Sequence, residues 1–394
     1  MACDGMDERE SMKTAPLTVL HVIAQLRYGA GRYLADTAIE QAAGLGHRVA
    51  VCVSRDVDDS WRTDPVLLAE LAGRNIEVHM AGDFFHRDPA LIRDAGTRIG
   101  EIRSASPGRV IVHAHTAMAA AAGHWARPDG LVVTCHGWGA GRPMEIDLQD
   151  SLAYQLCGSV VTYSHHWAER LIHDLGVPAP QIVPMGLDLR RFPPLPRKPA
   201  PASDPLRIIT VCELTHRKGV DLLIRAMPAV WKHLPRAELH IMGHGDAACG
   251  LRAMARELDP ESQRIFFHGA VKNPYLQLGN FDLFVLASRS DNLPAVLLEA
   301  MLARLPIVAT GVGGAPELIA AAGCGDIVPP DSSEALAARI LASAGLGPAK
   351  MASLGCRGER FCRRHYDVRK TAAQLEPVYR AAMRKRKLGQ THQD

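Results

Sequence analysis

Leu283-Phe-Val-Leu286, then Ser290-Asp-Asn-Leu-Pro-Ala-Val-Leu-Leu-Glu-Ala-Met-Leu-Ala303, then Pro306-Ile-Val-Ala309: a short apolar run, a loop, a longer apolar run and a second short run read as strand, helix, strand. That order is the unit of a parallel sheet with crossover helices. Pro294 suits the first helical turn, and only Glu299 is polar between Ala295 and Ala303, so the spacing predicts a helix buried nearly all round. An unpaired carboxylate in such a place is costly to ionise or gives up its charge. Glu299 therefore calls for a partner, either a basic side chain or the hydroxyls of a ligand. Asp291 lies in the loop before the helix, so the two carboxylates can grip two parts of one ligand.

The same alternation runs outward in both directions. Strands are expected at 17–24, 48–53, 76–79, 110–113, 131–135 and 159–163, then at 207–212, 238–242, 265–267, 283–286, 306–309 and 326–328. The fold class is α/β, with two doubly wound sheets. A length of 394 residues and 42.7 kDa suits two domains with a cleft between them. Pro193-Pro-Leu-Pro-Arg-Lys-Pro-Ala-Pro-Ala-Ser-Asp-Pro205 disfavours helix and sheet alike and reads as the joint. The expected organisation is a disordered tail at 1–14, a first domain at 15–193, a linker at 194–205 and a second domain at 206–368. A last helix at 369–387 packs back to complete the first domain. Its basic end, 380–387, reads as a solvated helix terminus, with a polyanion or membrane contact as the alternative.

Composition narrows the function. Forty-five basic against 42 acidic residues give a net charge of +3, which offers no general case for nucleic-acid binding. The nine cysteines are odd in number and form no Cys-x-x-Cys pair, against both a disulfide framework and a structural zinc site. A reducing cytoplasm is the expected compartment. The start, Met-Ala-Cys-Asp-Gly-Met-Asp-Glu-Arg-Glu, lacks the basic and apolar regions of a signal peptide, so no export is expected, and Met12 is an alternative start. No run of 18 apolar residues is present to span a membrane.

Ligands of open α/β sheets bind beyond the carboxyl ends of the strands, which directs attention to the strand-to-helix turns. Leu26-Arg-Tyr-Gly-Ala-Gly-Arg32 places Gly29 and Gly31 where backbone can approach a ligand at a helix start, or simply forms a tight turn. Leu34 in the third glycine position speaks against a dinucleotide fingerprint. Met242-Gly-His-Gly-Asp-Ala-Ala248 fits that fingerprint formally, but the acidic residue it needs after the next strand is missing. Thr310-Gly-Val-Gly-Gly-Ala-Pro-Glu317 is the better anion-site candidate, its glycines freeing backbone N–H groups before a helix opened by Pro316, with a plain turn and cap as the alternative. In Glu213-Leu-Thr-His-Arg-Lys-Gly219, Lys218 lies where a cation can meet a diphosphate, the alternative being a surface lysine.

Cys135-His-Gly-Trp-Gly-Ala-Gly-Arg142 puts His136 at a strand tip with a flexible loop beyond, either reaching the cleft or hydrogen-bonded structurally. His113 and His115 share one strand face without further ligands at metal spacing and read as structural or substrate-lining. Asp56-Val-Asp-Asp59 has an Asp-x-Asp pairing but reads as a solvated acidic loop. Arg87, Arg93, Arg98, Arg103 and Arg109 among Leu91, Ile92, Ile99 and Ile102 mark an ordinary solvated helix, with an interfacial helix on anionic lipid as the alternative.

In this order the segments resemble the retaining nucleotide-sugar glycosyltransferases of family 4. The matching stretches are Leu20-His-Val-Ile23 with Gly29 and Gly31, Val112-His-Ala-His115, Val133-Thr-Cys-His-Gly137, Pro184-Met-Gly-Leu-Asp-Leu-Arg-Arg-Phe192, Lys218-Gly-Val-Asp-Leu-Leu-Ile224, Asp291 through Glu299, and Val312-Gly-Gly-Ala-Pro-Glu317. The resemblance implies a GT-B fold of two facing Rossmann-like domains. It implies that Glu299 binds the ribose hydroxyls, that Asp291 and the backbone of Asn292 and Leu293 face the donor sugar, and that Lys218, with Arg217, balances the diphosphate. The loop of Gly29 and Gly31 would adjoin diphosphate and acceptor, and His136 would lie beside the reacting carbon. Backbone N–H groups near Gly313 and Gly314 would stabilise the leaving group. Two departures stand out: Asp291 replaces the usual Glu, and Glu213 stands where many members carry Arg.

The implied reaction moves a sugar, with a uridine diphosphate donor favoured, to an acceptor alcohol with retention and no metal or other cofactor. The acceptor would be a glycan, a lipid-linked sugar or a small natural product such as an aminocyclitol, chosen by the segment 137–150. The expected partners are donor and acceptor alone, with no nucleic acid, in the cytoplasm or against its membrane face. The rivals are a nucleotide-sugar epimerase and a sugar-nucleotide-binding protein without catalysis.

Overall fold

The computed structural model describes residues 16–54, 63–138, 142–196 and 205–390. Two parallel sheets organise them. The first has the order β3-β2-β1-β4-β5-β6-β7, built from β1 (Thr18–Ile23), β2 (Arg48–Val53), β3 (Glu77–Met80), β4 (Val110–Ala114), β5 (Gly130–Thr134), β6 (Ser159–Thr162) and β7 (Gln181–Ile182). The second has the order β10-β9-β8-β11-β12-β13, from β8 (Arg207–Val211), β9 (Glu238–Met242), β10 (Ile265–Gly269), β11 (Leu283–Leu286), β12 (Ile307–Thr310) and β13 (Gly325–Val328). In each sheet the order turns back beside the first strand, between β1 and β4 and between β8 and β11. Such a switch opens a crevice at the carboxyl ends of the strands.

The twelve strands expected from the sequence are all present. The one it missed is β7, two residues long between Pro180 and Pro184, where no alternating run could announce it. β1, β4, β5 and β6 are buried along their whole lengths, because helices cover both faces of a parallel sheet. The last helix, Val368–Gln390, returns to the first sheet. It is steered there by backbone bonds from Leu187 N–H to the Tyr366 carbonyl (2.9 Å) and from Val368 N–H to the Leu187 carbonyl (3.0 Å). Tyr379 reaches Gln41 and His113, while Ala382 and Met383 lie against Gly158 and Gly130.

Two expectations change. The helix Ala295–Leu302 is not buried all round: Leu297, Leu298, Ala300, Met301 and Leu302 are buried, but Ala295, Val296 and Glu299 face the cleft. Residues four apart share a helix face, so an alanine at 295 clears the ground in front of Glu299. The supposed loop after β5 becomes the helix Met144–Gln155, with Arg142 paired to Asp147 and Asp150 and stacked on Trp138. In the helix Pro89–Ala105, Ile92, Ala95 and Ile99 are buried, and Gly96 presses on Ala122 and Trp125 of the next helix. These residues pack within the lobe, while Leu91 on the same helix is exposed.

No helix among the described residues is long and apolar enough to cross a membrane. The tail at 1–14, Asp56 to Asp59, the body of the linker at 197–204, residues 139–141 of the β5 loop and the side chains of 385–387 lie outside the described residues.

Candidate active site

A cleft of about 1180 Å³ opens between the lobes, lined from the second by Arg217, Lys218, Asp291, Asn292, Leu293 and Glu299 and from the first by Gly29, Tyr33, His136 and Tyr163. Most of the residues singled out in the sequence therefore meet at one place. A cavity of this size accepts a nucleotide-sized ligand with its partner.

On the second lobe, Lys218 ends a short 3₁₀ turn, His216–Lys218, directly after β8. Its ammonium meets Asp291 Oδ2 at 2.5 Å, and both side chains are largely covered. Asp291 also accepts from Ser288 Oγ at 3.2 Å, and Arg217 lies 3.5 Å from its other oxygen while donating to the Ser290 carbonyl. The two groups expected at diphosphate and sugar are thus joined in one ion pair. The carboxamide of Asn292 is buried with neither Oδ1 nor Nδ2 hydrogen-bonded. Leaving such a group unsatisfied costs about 1–3 kcal/mol, a cost that a ligand in the cleft would relieve. Glu299 has no ion pair with any described residue, and burial pushes its carboxyl up to about 7.

The glycines divide by role. Gly29 lies on the cleft, in the first turn of the helix Tyr28–Ala43 rather than in a loop, and that helix has no side-chain N-cap. Its first N–H groups and the positive end of its dipole are thus suited to an anion. Gly31 is buried away from the cleft, and a Cβ there would come within 2.8 Å of the Leu26 backbone, so it serves packing and not ligand approach. Gly313, at φ +55°, lies so close to the carbonyls of Asp291 and Asn292 that a Cβ would stand 2.2 Å from both. The N–H of Gly314 is already given to the Asn292 carbonyl at 2.7 Å. This glycine pair holds the Asp291 loop in place, and the expectation that Gly314 offers its N–H to a leaving phosphate is withdrawn.

The first lobe carries features that the sequence did not announce. Arg32 bonds Asp36 and Glu70, each at 2.6 Å, and Arg191 bonds both oxygens of Glu70 at 3.1 and 2.7 Å. Arg32, Asp36 and Arg191 line the cleft. Burial raises the Asp36 pKa against the pull of Arg32 and Arg191. The Arg32–Asp36 spacing of four residues was a readable signal; the link to Arg191 needed the fold. Across the cleft, Lys272 of the second lobe adds another cation to the wall, and Glu213 lines it too.

His136 reaches the cleft, but both ring nitrogens are engaged, Nε2 with His115 Nδ1 at 3.3 Å and Nδ1 with the Tyr163 hydroxyl at 3.0 Å. His21 joins His113 and His115 in a buried trio whose nearest nitrogens lie within 4.8 Å of one another. Every ring nitrogen of the trio has a hydrogen-bond partner, so a metal would displace existing bonds. The Thr310–Glu317 segment acts between lobes: Glu317 accepts from the backbone N–H groups of His165 (3.0 Å) and His166 (2.7 Å). The anion at a helix start is here the protein's own carboxylate.

Two family models match in sequence order, Glycosyltransferase Family 4 over residues 28–191 and Glycosyl transferases group 1 over residues 205–344. The amylovoran biosynthesis glycosyltransferase AmsK of Erwinia amylovora is 30% identical over 187 residues, 45% of either chain. The chain thus spans about half the length of the curated relatives it matches. A glycosyltransferase structure from Rickettsia africae superimposes with a TM-score of 0.77 at 19% identity, covering 93% of this chain and 99% of the other. Anabaena Alr3699/HepE in complex with UDP and glucose gives 0.72 at 19% identity, covering 91% and 98%. With one lobe matched by each model and the two-sheet architecture shared, the chain belongs to the family 4 glycosyltransferases and has the GT-B fold.

Proposed function

We infer that the chain transfers a sugar from a nucleoside diphosphate sugar to an acceptor hydroxyl, with retention at the anomeric carbon and without a metal. The observation that carries this reading is Glu299, a carboxylate with no ion pair to any described residue, set in the wall of the cleft that the Lys218–Asp291 pair also lines. Ribose hydroxyls would give it the hydrogen bonds it lacks. Lys218 and Arg217 balance the charge that grows on the leaving diphosphate, helped by the open start of the Tyr28–Ala43 helix. Asp291 and Asn292 orient the sugar, and His136 lines the side of the reacting carbon. In a same-face transfer the bond from the anomeric carbon to the diphosphate oxygen breaks as the bond to the acceptor oxygen forms. The acceptor's proton then passes to the leaving phosphate oxygen.

A uridine diphosphate donor is favoured by the Anabaena neighbour, whose structure holds UDP and glucose. The name of AmsK supports a glycan acceptor. The cytoplasm is the compartment that unpaired thiols favour. Thermal melting with UDP, GDP and ADP identifies the nucleotide, since a ligand at 100 times its Kd adds about 2.7 kcal/mol. Acceptor-dependent release of that nucleotide, undiminished by a chelator, then supports transfer, and proton NMR of the new linkage reads its configuration. Inversion would overturn the mechanism. Conversion of the donor alone would favour an epimerase, and binding without release under any acceptor would favour a non-catalytic protein.

A further inference from the structure

A continuous hydrogen-bonded chain of buried side chains runs through the first lobe and ends at the cleft. Gln41 stands at its branch point. The amide nitrogen of Gln41 donates to the Tyr379 hydroxyl at 2.7 Å, and its carbonyl oxygen meets His21 Nε2 at 2.7 Å. His21 Nδ1 meets His115 Nε2 at 3.0 Å, His115 Nδ1 meets His136 Nε2 at 3.3 Å, and His136 Nδ1 meets the Tyr163 hydroxyl at 3.0 Å. On the other branch Tyr379 meets His113 Nδ1 at 2.8 Å, and His113 Nε2 meets Thr134 Oγ1 at 2.7 Å. Gln41, His21 and His113 are fully enclosed, and His115 is 1% exposed.

The proton positions follow from what each atom can do. An amide oxygen only accepts, so His21 must carry its proton on Nε2, and its Nδ1 accepts. His115 must then donate from Nε2, which leaves its Nδ1 to accept from His136 Nε2. His136 Nδ1 is left as an acceptor, filled by the Tyr163 hydroxyl. On the second branch Tyr379 accepts from Gln41 and spends its own proton on His113 Nδ1, so His113 too carries its proton on Nε2. One amide orientation therefore fixes four tautomers. The environment holds the rings neutral: burial lowers the pKa of His21 and His136 to about 4, and holds those of His113 and His115 well below the ordinary imidazole value.

Resting on the transferase reading above, we propose that Gln41 is a positioning residue for the transfer step: its carbonyl sets the direction of the chain that holds His136 as an oriented, uncharged Nε2–H imidazole beside the sugar. Positive charge grows on the sugar ring as the bond to the diphosphate breaks, and a cationic or turning imidazole there would oppose it. Tyr379 belongs to the same apparatus, which gives the returning C-terminal helix a part in the site.

Two-bond proton–nitrogen correlation spectra of the full chain with labelled histidine test this without any donor. At pH 7, His21, His113, His115 and His136 are expected to read as neutral Nε2–H tautomers, and a Nδ1–H or cationic His136 would overturn the proposal. Gln41→Glu offers two accepting oxygens, so His21, His115 and His136 keep their form while His113 alone switches to Nδ1–H. Gln41→Met removes the carbonyl; His136 then populates both tautomers, and kcat falls by roughly 10- to 100-fold with the donor KM little changed. Gln41→Glu restores most of that kcat. An unchanged His136 tautomer and kcat in Gln41→Met would make Gln41 merely structural and sink the idea. If Gln41→Met does not fold, the native and Gln41→Glu spectra still decide. Should no donor be turned over at all, the transferase reading fails separately and the spectra still judge the direction of the chain.

Discussion

Glu299 shows how one side chain can be both legible and costly. Its isolation in an apolar run was visible in the sequence, and the lack of an ion pair with any described residue is what the fold adds. Since its folded pKa is raised to about 7, the folded state keeps a proton that the unfolded chain releases near pH 4.3, so stability falls as pH rises through that window. Glu299→Gln cannot titrate. The melting temperature of the variant minus that of the native chain is therefore expected to be smallest near pH 5 and largest above pH 7, while the variant loses affinity for the nucleotide. A difference independent of pH would refute the raised pKa. The Lys218–Asp291 pair was not legible, because 73 residues separate its members and only the fold brings them to 2.5 Å. Lys218→Met removes the nearest cation from the expected leaving group and is expected to lower kcat about 10²- to 10³-fold in steady-state assays. Retention of native kcat would remove Lys218 from that role.

Short elements decided where the sequence could be read and where it could not. Strands buried on both faces announce themselves as unbroken apolar runs, which is why β1, β4 and β11 were plain, whereas β7 exists only by pairing with β6. Glycine-rich turns look alike in a sequence because a glycine that admits a ligand and one that admits backbone leave the same letter. Gly29 faces the cleft, Gly31 a neighbouring turn, and Gly313 the Asp291 loop. Gly313→Ala is expected to cost at least about 1–3 kcal/mol, from the left-handed φ alone, and more from the two carbonyls 2.2 Å from the new Cβ. The same displacement should push Asp291 away from Lys218. Denaturant unfolding and nucleotide binding should therefore fall together, and a variant with native stability and binding would show that the turn moves freely.

The relation between the lobes depends on contacts that no local pattern specifies. The alternation of strands and helices told that there would be two sheets and a cleft, and the last helix was expected to pack back on the first domain, where Leu375, Val378, Tyr379 and Met383 join one buried cluster. One polar contact that joins the lobes is made by Glu317, in the first turn of the helix Ala315–Ala322, which reaches the start of the helix His165–Leu175 beside the apolar contacts of Tyr163 with the second lobe. Ser164 takes the Trp167 N–H there, and Glu317 takes those of His165 and His166, so each of these three first-turn donors is satisfied, two of them from the opposite lobe. A carboxylate also suits the positive end of that helix. Glu317→Ala would leave two donors to water at a cost of about 1 kcal/mol and release the lobes at this point. Small-angle X-ray scattering of the variant is expected to show a larger radius of gyration than the native chain without nucleotide, and a return toward the native value when nucleotide fills the cleft. Equal radii in both states would mean that the lobes are held by other contacts and that Glu317 only caps a helix.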